Sequence, residues 1–240
     1  MADHKQRLLV VAAHPGDFVW RSAGILAAAV ANGGDARVVC LSYGARGESG
    51  ELWKEEGQTL DHVKRIRDEE SREAAAVLGA SFSCFDLDDY PIRITPEVED
   101  GLVDAILEFA PTHLITHARE DPFNPDHPAA FQAANQARML SGGAGVASAF
   151  PRVSPPQMLL FEPHQPELCA FTPDLFVDIT PVIELKVKAM NAMGAQNYLK
   201  QYYLERAQQR ANHARRISGR KDIDYAEAFQ RLLPDVVSAL

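Results

Sequence analysis

Cysteine is scarce in this 240-residue chain: Cys40, Cys84 and Cys169 are scattered singly through apolar or strand-like runs. An odd, dispersed set argues against a disulfide framework or a thiolate metal cage and leads us to expect a cytoplasmic protein. No apolar run approaches the ~20 residues that cross a bilayer. The amino terminus, Met-Ala-Asp-His-Lys-Gln-Arg, carries no secretory apolar segment. Positive charge is in the minority, with 24 Lys and Arg against 33 Asp and Glu and a net charge of −9. Without a basic stripe to follow phosphates, nucleic acid is not an expected partner. A small anion held by a local cluster of arginines remains open. What is present suits a globular chain, with 46% apolar and 24% charged residues. We expect one domain over 1–240, with a core at about 7–200 and a helical extension at about 200–240.

Short β-branched runs at 8–12, 36–42, 81–86, 113–116, 157–161 and 175–179 alternate with helical patterns at 22–32, 62–78, 96–109 and 128–140. A long helical stretch follows at about 182–216. This order predicts an α/β fold with a mostly parallel sheet covered on both faces. Several strands lack polar alternation, as expected when both faces are buried. The Gly-, Ala-, Ser- and Pro-rich stretch 141–156 reads as a flexible connection suited to a lid or an oligomer contact, and the Arg-rich 206–220 as a solvated helix face.

In such sheets ligands gather outside the carboxyl ends of the strands, and the polar clusters fall there. His14 and Asp17 follow the first run, and Arg46 and Glu48 sit in a Gly-rich loop after the second. The stretch from His117 through Arg119 and Asn124 to Asp126 and His127 follows the fourth, and His164 the fifth. An imidazole and a carboxylate three residues apart suit zinc, whose catalytic sites take three protein ligands and leave one position open. His127 is the best third ligand, with His117 and His113 as alternatives, and Asp126 is placed to orient an imidazole.

These segments resemble the LmbE-like or PIG-L family of zinc-dependent N-acetylglucosaminide deacetylases. Ala13-His14-Pro15-Gly16-Asp17 is similar to its AHPDD motif and Asn124-Pro125-Asp126-His127 to its HPDH segment. Arg67, Glu70, Ala75 and Gly79 match its RxxE…A…LG helix, and Asp178-Ile179-Thr180 with Lys186, Ala189 and Gln196 its carboxyl-terminal signature. The resemblance spans roughly 8–200. It implies a Rossmann-like three-layer fold, and Zn2+ or another divalent metal on His14, Asp17 and His127.

The departures alter the chemistry that the resemblance implies. The family's general base stands where this chain has Gly16, the first His of HPDH is Asn124, and HxSQ reads Met193-Gly194-Ala195-Gln196. Amide hydrolysis needs an acid and a base, and glycine is neither. The run His14-Pro-Gly-Asp-Phe-Val-Trp-Arg21 resembles a divergent branch of 4-oxalomesaconate hydratases, which add water to a conjugated carbon–carbon double bond. For that chemistry the candidate acid–base pair is Glu48, in the Gly-rich loop next to the metal loop, and His164, an imidazole that titrates near neutrality on the same edge, their order not decided by spacing. Arg21, Arg46, Arg67 and Asn124 bind a small anionic polycarboxylate, with Arg119 near the same edge. An N-deacetylase with Glu48 as replacement base is the alternative, and a non-enzymatic metal-binding member a third. A homo-oligomer is expected in each case.

Overall fold

The computed structural model describes residues 5–234 and 236. Seven strands form one sheet: β1 (Arg7–Ala12), β2 (Asp35–Ser42), β3 (Ser81–Leu87), β4 (His113–Thr116), β5 (Gln157–Phe161), β6 (Leu175–Asp178) and β7 (Ala226–Arg231). Their spatial order is β3-β2-β1-β4-β5-β7-β6. Among the described residues β7 is antiparallel to both β5 and β6, and the other pairings are parallel. The mostly parallel α/β sheet expected from the alternating runs is therefore present.

The unbroken apolar character of β1 follows from its central place, hydrogen-bonded to β2 on one side and β4 on the other. Leu8, Val10 and Ala12 enter one core with α1 (Pro15–Ala31), α2 (Leu60–Val77), α5 (Ile183–Ala192) and α6 (Lys200–Ser218). Leu9, Val11 and Ala13 enter the other, against α3 (Pro96–Phe109) and α4 (Asp126–Leu140). A period of two on a strand sends successive side chains to opposite layers, so both layers require apolar residues. Among the described residues no helix is long and apolar enough to cross a membrane.

Four expectations are corrected. Helix α1 begins at Pro15, seven residues before the pattern starting at 22, because Pro15 occupies the first turn, where proline is tolerated. Asp17 Oδ2 accepts the backbone N–H of His14 at 2.9 Å and so closes that turn. The His14–Asp17 motif is thus a helix start rather than a free loop.

The stretch 182–216 is not one helix. Between α5 and α6 lies a 3-10 segment, Gly194–Leu199, with Gln196 at φ −130°, ψ 24°.

The helical extension contains a strand, β7. Its Ala-Glu-Ala-Phe-Gln-Arg sequence is weak in β-formers, and tertiary contacts secure it. Glu227 is buried against the Lys186 ammonium at 2.6 Å and accepts the backbone N–H groups of Gly24 and Ile25, each at 2.8 Å.

The Arg-rich face is only partly solvated: Arg206 and Arg210 both clamp Glu162.

Candidate metal centre and active site

The carboxyl ends of β1, β2, β4 and β5 open onto a cavity of about 230 Å³ whose walls include His14, Asp17, Arg21, Glu48, Asn124, His127 and His164. Seven of the nine side chains expected at the site therefore meet here. Arg46 and Arg67 do not. Arg46 turns to Asp88 at 3.3 Å and borders a separate surface depression with Arg93. Arg67 is wholly buried behind the wall, bonded to Glu70 Oε2 at 2.7 Å. Their expected contact with substrate is corrected: one guanidinium is spent on an exposed carboxylate and the other on the half-buried Glu70.

His14, Asp17 and His127 offer ligand atoms within 4.8 Å of one another, all from buried residues. His14 Nδ1 lies 3.5 Å from Asp17 Oδ2, and His127 Nε2 lies 3.5 Å from Asp17 Oδ1. Each imidazole is fixed through its other nitrogen. His14 Nε2 bonds Asp126 Oδ2 at 3.0 Å, and His127 Nδ1 bonds Asp121 Oδ2 at 2.7 Å. Asp126 is itself held by the backbone N–H groups of Tyr90 and Ile92. The two inward nitrogens, His14 Nδ1 and His127 Nε2, are buried without a hydrogen-bond partner. Orphaned buried polar atoms are costly, and two imidazole nitrogens beside one carboxylate are the donor set a zinc-like cation accepts. The residues fit a divalent metal.

His117 is an unsuitable third ligand through Nε2, which accepts the Ala13 N–H at 2.9 Å. Burial pushes its pKa down to about 3, helped by neighbouring His127, so it packs as a neutral ring stacked on His127. His113, the first residue of β4, lies at the opposite edge of the sheet. Burial opposes a charge on His14, but its bonds to Asp126 and Asp17 and the nearby Glu48 outweigh this and push its pKa up to about 10. Burial likewise opposes charge on Asp17, yet His117, His127 and Arg21 hold its carboxyl well below the usual range.

Beside the cluster, Glu48 Oε1 is 4.0 Å from His14 Nδ1 and accepts hydrogen bonds from Tyr90 Oη and Asn124 Nδ2, each at 2.9 Å. His164 sits on the wall with its ring stacked on Tyr202 and Nδ1 3.4 Å from the Tyr203 hydroxyl. Burial, then Arg21 and Arg206, lower its pKa from the ordinary histidine value. Arg21 is buried with its Nε unpartnered and its guanidinium 3.7 Å from Asp17 Oδ1.

Sequence reasoning missed Tyr90, Asp121, Gln196 and Tyr203 as parts of this site. Asp121 stood in the loop already marked after β4, and Tyr90 directly after the acidic run at 86–89. Gln196 was visible only as a remnant of a family segment, and Tyr203 had no local signal. The stretch 141–156 contributes no residue to the cavity wall.

Residues 9–138 match the family described as PIG-L: GlcNAc-PI de-N-acetylase. The chain is 41% identical over 235 residues to a 4-oxalmesaconate hydratase of Pseudomonas putida, covering 97% of this chain and 91% of that protein. It is similar to the crystal structure of GalB, the 4-carboxy-2-hydroxymuconate hydratase from Pseudomonas putida KT2440. The TM-score there is 0.94 at 40% identity, covering 98% of this chain and 99% of the other. The N,N'-diacetylchitobiose deacetylase of Pyrococcus horikoshii shares the fold, with a TM-score of 0.77 at 20% identity over 95% of this chain and 84% of that one.

Proposed function

The chain belongs to the PIG-L family, and from that premise we propose that it is a metal-dependent hydratase adding water to the conjugated C=C of a small unsaturated polycarboxylate of the 4-oxalomesaconate type. The observation that carries this reading is the position of the carboxylate. Residue 16 has no side chain, whereas Glu48 reaches the edge of the His14–Asp17–His127 cluster from the loop after β2. Similarity to the two hydratases supports the same choice.

In this reading His14, Asp17 and His127 hold the metal, zinc being the best match to the donor set. When bound, the cation polarises a substrate carbonyl oxygen and makes water more acidic. Glu48 takes the water proton as the oxygen forms its bond to one alkene carbon, and His164 gives a proton to the other carbon. A net proton transfer from Glu48 to His164 resets the pair. The three donors directed at Glu48 keep it oriented as an acceptor. The lowered pKa of His164 makes its proton, once present, easier to release. Arg21, a buried cation with an unpartnered N–H, binds a substrate carboxylate. Asn124 holds Glu48 and carries no charge of its own.

We retain a cytoplasmic setting, supported by three free cysteines. A homo-oligomer is supported by the exposed apolar side chains Met139, Leu140 and Phe150.

The test is a paired assay on the metal-loaded protein. Loss of conjugated absorbance from 4-oxalomesaconate is followed beside amine release from an N-acetylglucosaminide. We expect turnover of the first only; turnover of the second alone overturns the hydratase reading.

A further inference from the structure

The break between α5 and α6 carries Gln196 into the site. Its side chain is buried, and its amide has a fixed orientation. Oε1 accepts from Arg67 Nη2 at 3.1 Å and from Trp20 Nε1 at 3.4 Å. Two obligate donors on one end identify that end as the oxygen, because neither an arginine nor an indole N–H can accept. The amide nitrogen is thereby turned to Glu48, and Nε2 donates to Glu48 Oε2 at 2.9 Å. Arg67 is fixed in its turn by Glu70 Oε2 at 2.7 Å. The other oxygen of Glu70 accepts the Ala195 N–H at 2.8 Å, tying the helix break itself to α2.

Gly16 is the counterpart of this arrangement. A Cβ on residue 16 would stand 2.2 Å from Gln196 Oε1 and 2.9 Å from Trp20 Nε1. The glutamine tip would have to shift to admit that atom, and the same amide carries the bonds to Arg67 and Glu48. A side chain at 16 therefore competes with the position that gives Glu48 its third donor.

We propose that Gln196 is a positioning residue, locked by Arg67 so that its amide holds Glu48 beside the His14–Asp17–His127 cluster, and that Gly16 is the space this lock requires. The proposal rests on the role given to Glu48 above. It makes residues 16 and 196 a coupled pair, and it explains the buried Arg67 as a support for the active carboxylate rather than a substrate contact.

The experiment is a steady-state kinetic series on the metal-loaded enzyme with 4-oxalomesaconate, with metal content and thermal midpoint measured for each variant. Gln196→Ala should lower kcat about a hundredfold, the scale of a misplaced catalytic group, with KM changed less than about threefold and metal retained. Gln196→Glu keeps the volume and the Arg67 contact but presents an oxygen to Glu48. It should lose kcat at least as severely, whereas a merely space-filling role would leave it near wild type. Gly16→Ala alone should resemble Gln196→Ala. In the Gln196→Ala background the same change should cost almost nothing more, since interacting sites are non-additive.

Wild-type kcat in Gln196→Glu, or additive losses in the double variant, overturns the proposal while leaving the hydratase reading intact. Full activity in Glu48→Gln removes the role of Glu48 and the proposal with it. Absence of hydration by the wild-type protein, by contrast, defeats the functional reading itself.

Discussion

His14 and Asp126 are joined Nε2 to Oδ2 at 3.0 Å, both buried, and this bond turns the unpartnered Nδ1 of His14 toward Asp17. Asp121 does the same for His127 from the other side of the cluster. A carboxylate on the far nitrogen fixes the tautomer and strengthens the near nitrogen as a ligand. We therefore predict that wild type carries roughly one metal per chain and that His14→Ala and His127→Ala purify without it. Asp126→Asn and Asp121→Asn should retain a metal bound about 10–100-fold more weakly, as measured by chelator competition. Stoichiometric metal in both alanine variants would remove the assigned ligands.

Proton and metal compete for His14. With its pKa pushed up to about 10, this imidazole is protonated at neutral pH in the metal-free protein. Metal binding must expel that proton. Apparent metal affinity should rise with pH across the neutral range and flatten near pH 10, and calorimetry in buffers of different ionisation enthalpy should show proton release. The stability of the metal-free protein should move the other way. A folded-state pKa above the unfolded value of 6.5 contributes stability that is complete below about 6.5 and lost as pH rises through about 10. Metal affinity that does not change with pH would contradict this coupling.

Glu48→Gln and His164→Ala should each lower kcat by about 10²–10⁴, the range for a positioned acid or base, with metal content unchanged. Parallel metal analysis and kinetics check this. Near-wild-type turnover in either variant removes that residue from the proton transfer.

The arginines should separate into three behaviours. Arg21→Met should raise KM for a polycarboxylate, because it removes the buried cation on the cavity wall. Arg46→Ala should leave KM and stability nearly unchanged, its partner Asp88 being exposed. Arg67→Met leaves Glu70 without its buried partner and should destabilise the fold by about 3–5 kcal/mol, seen in denaturant melts. An equal KM effect in all three variants would contradict the observed placement.

Much of this protein was legible from local pattern. Strands β4 and β5 begin and end where the apolar runs do, and the starts and ends of β1, β2, β3 and β6 differ from them by one residue at most. A fully buried parallel strand must be apolar on both faces, so its limits are written in the sequence itself. The motif residues were legible for a similar reason: β1, β2, β4 and β5 all end at one edge, and whatever follows them must meet there.

The strand β7 and the interruption at Gln196 were not legible. Ala226 to Arg231 lacks a β-forming pattern, and its place depends on Lys186 and on two backbone N–H groups of α1 about two hundred positions away. Within the helical periodicity over 182–216 only Gly194 hints at the turn at 194–199, and an isolated glycine is tolerated inside helices; the turn is tied by Glu70.

The sequence by itself determined the layered sheet and the edge at which chemistry collects, because periodicity and spacing are local properties, and the family resemblance pointed to His14, Asp17 and His127 there. Only the tertiary structure decided which arginine faces the cavity and which carries Gln196, and what fills the space beside Gly16. Those depend on side chains converging from distant segments, where burial and hydrogen-bond geometry select among residues that the sequence leaves equivalent.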